Sequence, residues 1–220
     1  VSIFVNPLQF GKEEDFKKYP RDLIKDAELA FNAGADAVWA PDHVEVFPGG
    51  ADSHFKIQVP RTLHNQLCGA NREGHFDGVA TVIIRLIKII RPEKLVLGEK
   101  DWQQLIIIRR LFRELSIPIK IESYSTKRDQ SGFAYSSRNS YLTTNERLQA
   151  QSLPNALREA KNTFLKEKII NLKKIASTMQ LSNLEIEYIK IVDAFSLQEI
   201  EDIKGICLLA SAVKCGSTRL

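Results

Sequence analysis

With 220 residues and 44% hydrophobic content, the chain can build one large domain or one medium and one small around a packed core. Its net charge of +4 comes from 31 basic and 27 acidic residues that are interleaved, without an arginine- or lysine-rich tail, which suits an anionic small molecule better than nucleic acid. The most apolar stretch, Val79 to Ile90, is broken by Arg85 and Lys88, so no bilayer-spanning segment and no membrane partner is expected. Cys68, Cys207 and Cys215 are odd in number and form no Cys-x-x-Cys pair, and so read as reduced thiols of a cytoplasmic protein. His43, His54 and His64 are scattered without ligand spacing, and no metal site is expected.

Residue 1 is valine, and Val1-Ser2-Ile3-Phe4-Val5 already reads as a buried strand, with no initiator methionine or signal peptide before it. We therefore expect a sheet missing its preceding segment. The polar turn Asn6 to Gly11 follows, then a helix through Leu23, Ala27, Ala30 and Phe31 that Gly34 can end. Ala37 to Ala40 is the next strand, stopped by Pro41, and Phe55 to Val59 reads as a short strand within a loop. From Val79 to Ile90 the apolar positions Val79, Val82, Ile83, Leu86, Ile87 and Ile90 form one helical stripe. Leu95 to Leu97 is a short buried strand, Leu105, Ile108, Phe112 and Leu115 mark a helix, and Ile117 to Ser123 another strand. This alternation predicts a doubly wound parallel α/β sheet over residues 1–126. Residues 127–220 read as a small α+β domain. It opens with a polar segment, continues with helices from a capping start at Thr143-Thr144-Asn145-Glu146, and ends in strands at Leu184 to Val192 and Ile206 to Val213.

Gly98-Glu99-Lys100-Asp101 lies where a strand gives way to a helix, so a ligand there meets helix amides and the Lys100 ammonium together. On its own so short a string is better explained by a solvated lysine at a helix start. Glu99 and Asp101 can orient a ribose or a magnesium-bound water, or Asp101 can cap the helix. Tyr135-Ser136-Ser137-Arg138-Asn139 alone is a polar turn. Paired with Lys100 across a domain junction, it becomes an electrostatic clamp for a triphosphate. Gln9 and Gln104 sit just past strand ends on one rim, where their amides suit a small polar substrate or plain solvation. Asn6, Arg72 and His75 join them in expected binding loops, His75 without an acid or nucleophile that would make it a general base.

Val1-Ser2-Ile3-Phe4-Val5-Asn6-Pro7-Leu8-Gln9-Phe10, Gly74-His75-Phe76, Gly98-Glu99-Lys100-Asp101 with Gln103-Gln104, and Ser136-Ser137-Arg138-Asn139 resemble the pantothenate synthetase family in order and spacing. The likeness is strongest over residues 1–142, and the style of Leu97 to Trp102 is similar to cyanobacterial versions, some of them fused to a cytidylate kinase. The resemblance implies a Rossmann-like nucleotidyltransferase sheet and an ATP-dependent condensation of pantoate with β-alanine through pantoyl adenylate, with ATP taken as its magnesium complex. It implies that Gly98, Glu99, Lys100, Asp101, Lys127, Tyr135, Ser136, Ser137 and Arg138 contact ATP. Lys100, Ser136, Ser137 and Arg138 would act on the migrating charge. Gln9 and Gln104 would hold pantoate, with Gln9 also near β-alanine, and Asn6, Arg72 and His75 would belong to the same pocket. A homodimer is implied as well.

The family's His-x-Gly-His motif, whose histidines bind the triphosphate and assist adenylate formation, follows its first strand, and no such motif occurs in this chain. These 220 residues alone are accordingly expected to be inactive or nearly so. The alternatives are another adenylate-forming or nucleotidyl-transferring enzyme of the same fold, and a non-catalytic remnant. A nucleic-acid module, suggested by Lys17, Lys18, Arg109, Arg110, Lys173 and Lys174, is disfavoured because these charges alternate with acids.

Overall fold

The computed structural model describes residues 1–12, 14–50 and 53–220. Its helices and strands, in chain order, are α1 (Leu23–Asn32), α2 (His43–Val46), α3 (Arg61–His64), α4 (His75–Ile90), β1 (Lys94–Gly98), α5 (Trp102–Glu114), β2 (Lys120–Tyr124), α6 (Thr144–Ala150), α7 (Ser152–Glu167), α8 (Leu172–Gln180), β3 (Glu185–Asp193), β4 (Cys207–Cys215) and β5 (Thr218–Arg219). Two compact units emerge. Unit 1 comprises Val1–His64, Gly69–Val96 and Gln104–Glu122, and unit 2 comprises Asn65–Cys68, Leu97–Gln103 and Ser123–Leu220.

β1 and β2 pair in a parallel sheet with α5 as their crossover. α5 buries Leu105, Ile106, Ile107, Ile108 and Phe112, whereas Leu115 lies past the helix end and is exposed. The expectation of a short buried strand at Leu95 to Leu97 is corrected as well. β1 alternates, and Val96 is 57% exposed, because successive side chains of a strand point to opposite faces and the face that carries Val96 is not covered. Among the described residues the segment Val1 to Val5 contributes a single parallel bridge, Ser2 to Trp39, with Ile3 N–H donating to the Trp39 carbonyl and Trp39 N–H to the Val1 carbonyl.

Phe55 to Val59 is not a strand. The reason lies in α4: the Ile57 amide donates to Thr81 Oγ1 at 2.9 Å and the Val59 amide to Asp77 Oδ1 at 2.8 Å, so side chains of a helix take the place of a ladder. α4 begins after Gly74, whose φ of 71° suits glycine, and packs on the 3-10 turn Pro7–Gln9. Gly78 makes that approach possible, since a Cβ there would collide with the Leu8 carbonyl and the Gln9 amide. On its stripe Val79, Val82 and Ile87 are buried and Ile83 and Leu86 pack against Val46 and Phe47, but Ile90 is exposed at the helix end.

In unit 2, Thr143 and Glu146 form the reciprocal capping box that the sequence signals, and α6, α7 and α8 follow. β3, β4 and β5 make an antiparallel sheet with a bulge between Ile186 and Tyr188. Phe133, Ala150, Ala156, Ala160, Ile175, Met179, Leu184, Val213 and Cys215 fill the core between these helices and the sheet. No helix among the described residues is long and apolar enough to cross a membrane.

Candidate functional site

In unit 1 the polar residues of the sequence reading form one network around Gln9. Asn6 Oδ1 accepts the Leu8 N–H at 3.2 Å, while Nδ2 donates to Gln9 Oε1 and to the Gly78 carbonyl, both at 3.1 Å. Every polar atom of this 2% exposed side chain is engaged. His75 Nδ1 lies 2.7 Å from the Gln9 carbonyl and Nε2 lies 2.9 Å from Arg72 Nη1. A carbonyl only accepts and a guanidinium only donates, so the ring is the neutral Nδ1–H tautomer. Arg72 forks onto Glu14, Nε to Oε1 at 2.7 Å and Nη2 to Oε2 at 2.6 Å, which matches its charge before any ligand arrives. Asn6, Arg72 and His75 are thus the frame that fixes Gln9. The Gln9 Nε2 group makes no hydrogen bond among the described residues, and neither does the half-buried amide of Gln104, the third residue of α5.

In unit 2, β1 ends at Gly98 in extended conformation, and a Cβ there would meet nothing within 4 Å, so the backbone can be approached closely. Glu99–Asp101 then make a 3-10 turn that runs into α5. Asp101, considered as a helix cap, instead has its carboxylate 3.6 Å from Lys100 Nζ, the two side chains being 62% and 42% exposed. Such an exposed pair is worth about 0–1 kcal/mol, so a more highly charged anion can take over the ammonium. Glu99 Oε1 accepts a hydrogen bond from Ser123 Oγ at 3.0 Å. Among the described residues no group of three or more His, Cys, Asp or Glu side chains could hold a metal ion.

Residues 127–141 close on themselves. Arg128 and Ala134 form an antiparallel bridge, and Tyr135 N–H donates to the Lys127 carbonyl at 3.1 Å. Asp129 organises the turn by accepting from Ser131 Oγ, Ser131 N–H and Phe133 N–H, and it pairs with Arg147 at 2.9 Å. The Ser131 hydroxyl bond is the main cause holding its carboxyl below the usual range, with the amides and Arg147 adding to it. Ser136 Oγ accepts the Arg138 N–H and caps a 3-10 turn over Ser137–Tyr141, and Asn139 Nδ2 holds the Ala134 carbonyl at 2.9 Å. The Tyr135 ring is exposed. Lys100 and residues 135–138 both belong to unit 2, and Lys100 pairs with Asp101 and with none of 135–138.

Sequence reasoning passed over two anchors of this region. The Trp102 indole N–H donates to the Ala194 carbonyl at 2.6 Å. Buried Gln103 donates to the Gln66 carbonyl at 2.7 Å and accepts the Cys68 N–H at 3.0 Å. Adjacent glutamines drew attention as a motif, but nothing in their spacing separates the engaged Gln103 from the open Gln104.

The bifunctional pantoate ligase/cytidylate kinase of Prochlorococcus marinus (strain NATL1A) is 78% identical over the whole chain, which spans 43% of that relative. The pantothenate synthetase of Thermus thermophilus superposes with a TM-score of 0.91 at 35% identity, over 100% of this chain and 80% of that one. The pantoate-beta-alanine ligase of Francisella tularensis, solved with beta-gamma ATP and beta-alanine, gives a TM-score of 0.82 at 30% identity over 100% and 76%. This chain spans less than half the length of the curated relatives it matches. The pantoate-beta-alanine ligase model matches residues 1–220, and the chain belongs to that family.

Proposed function

We propose that this chain takes part in the ATP-dependent condensation of pantoate with β-alanine to pantothenate. The observation that carries the reading is the family match over all 220 residues, in a chain whose Gly98-Glu99-Lys100-Asp101 turn stands open at a parallel strand's carboxyl end. Pantoate carboxylate attacks the α-phosphate of ATP, pyrophosphate leaves, and the β-alanine amine then displaces AMP from pantoyl adenylate. The nucleotide contacts are the Gly98 backbone, Glu99, Lys100 and Asp101, Lys127, and Tyr135 to Arg138. Lys100, Ser136, Ser137 and Arg138 stabilise the charge that grows as pyrophosphate departs. The open amides of Gln9 and Gln104 orient pantoate, Gln9 also facing β-alanine. The exposed Asp101 carboxylate fits the hard oxygen donors that magnesium prefers, directly or through water. Magnesium carried by the nucleotide offsets triphosphate charge.

No His-x-Gly-His sequence occurs in the chain, and we infer that these residues by themselves are inactive or nearly so. The name of the Prochlorococcus relative supports a natural protein in which this region is joined to a cytidylate kinase. A homodimeric assembly in the cytoplasm is the setting we infer. The test separates the residues assigned to pantoate from those assigned to ATP. In the full natural protein, Gln104→Ala should raise KM for pantoate about three- to tenfold, the cost of a lost neutral hydrogen bond. Lys100→Ala should lower kcat/KM for ATP by about a hundredfold or more. Equal effects of both variants on both substrates would contradict the assignment.

A further inference from the structure

The turn that carries Lys100 is tied down on both sides by hydrogen bonds of its neighbours. Glu99 holds Ser123, and the two residues that open α5 reach into the rest of unit 2. Gln103 grips the 66–68 backbone, where Cys68 Sγ lies 3.2 Å from Tyr188 Oη in β3. Trp102 reaches Ala194, the residue just past the end of β3. Both ties therefore lead to the same strand.

The Ala194 carbonyl is a fixed acceptor. Ala194 is buried, and its own N–H donates to the Ile206 carbonyl at 3.2 Å. The turn around it is organised by Asp193 Oδ1, which accepts from Ser196 N–H at 2.7 Å, Ser196 Oγ at 2.9 Å and Phe195 N–H at 3.0 Å. Leu197, fully buried, closes the turn with a hydrogen bond to the Asp193 carbonyl although its φ is 61°. A rigid indole with two side-chain torsions, bonded to a rigid carbonyl, transmits position to the residues next to it in sequence.

We propose that Trp102 is a positioning residue for the nucleotide: its indole N–H bond to Ala194 sets the Glu99–Asp101 turn so that Lys100 meets the phosphates. This rests on the proposed function for the identity of the ligand. A tyrosine would carry its donor on a longer reach and a phenylalanine would carry none, so the indole nitrogen is the atom that matters.

The test replaces Trp102 in the full natural protein with phenylalanine and, separately, with benzothienylalanine, which keeps the shape of the indole and exchanges the N–H for sulfur. ATP affinity is read directly by calorimetry, and the pantoate-dependent exchange of pyrophosphate into ATP is read beside it. Both variants should weaken ATP binding about three- to tenfold and raise KM for ATP by a similar factor. KM for pantoate and the melting temperature should stay close to wild type, and 7-azatryptophan, which retains the donor, should restore ATP affinity. Unchanged ATP affinity in the benzothienyl variant would overturn the proposal. So would parallel losses for both substrates together with a lowered melting temperature, the signature of a merely structural role. Weakened ATP binding by both variants, beside a wild-type protein that shows no pantoate-dependent exchange, would uphold the positioning role and sink the pantoate reading instead.

Discussion

At the scale of single residues, the polar side chains that the sequence offers to a ligand divide into frame and open groups. Asn6, Arg72 and His75 read as further members of the pocket that holds Gln9, and Arg72 is committed to Glu14, 58 residues away, a pairing that local spacing cannot reveal. Lys100 and the two amides, the groups we propose for the ligands, are the ones that stand in short turns or near a helix start, a placement that strand and helix periodicity makes readable. Gly78 is the sharper case. Propensity alone predicts that alanine would stabilise α4 by about 1 kcal/mol. The Leu8 carbonyl occupies the place of its methyl group, and displacing backbone costs about 1–3 kcal/mol, so the clash wins. Gly78→Ala should lower the urea midpoint; a raised midpoint would show that the turn at Pro7–Gln9 yields freely.

At the scale of elements, capping chemistry was readable and long-range pairing was not. The Thr143 and Glu146 box and the stop at Gly34, whose φ is 93°, follow from a few neighbouring residues. The segment Phe55 to Val59 has the composition of a strand, but its amides are claimed by Thr81 and Asp77 of a helix that comes later in the chain. Three turns of unit 2 depend on ionised carboxylates. Backbone donation from Ser196 holds Asp193 below its ordinary range, backbone donation from Thr143 does so for Glu146, and the Ser131 hydroxyl for Asp129. A carboxyl whose folded pKa is depressed adds stability that is fully present above its unfolded value, about 4, and is lost as pH falls through the folded value. Asp129→Asn should therefore be less stable than wild type at pH 7, with the gap closing toward about pH 3 in urea titrations. A gap independent of pH would mean that the charge of Asp129 contributes nothing.

At the scale of the whole molecule, alternating strands and helices signalled the α/β character of the first part, and the change of pattern beyond about residue 126 signalled the antiparallel α+β part. The way short stretches are shared out was hidden. Residues 65–68 and 97–103 belong to unit 2 because Trp102, Gln103 and Cys68 bond to partners there, and such partners lie far away in sequence. That sharing places the Lys100 turn with the 127–141 segment, the two stretches assigned to the nucleotide, in one unit. The central claim is that this constellation forms an acyl adenylate from pantoate, and the measurement that tests it most directly is exchange of labelled pyrophosphate into ATP. We predict pantoate-dependent exchange by the full natural protein and little or none by the 220 residues alone. Exchange that ignores pantoate, or none from the folded full protein with magnesium present, would contradict the account.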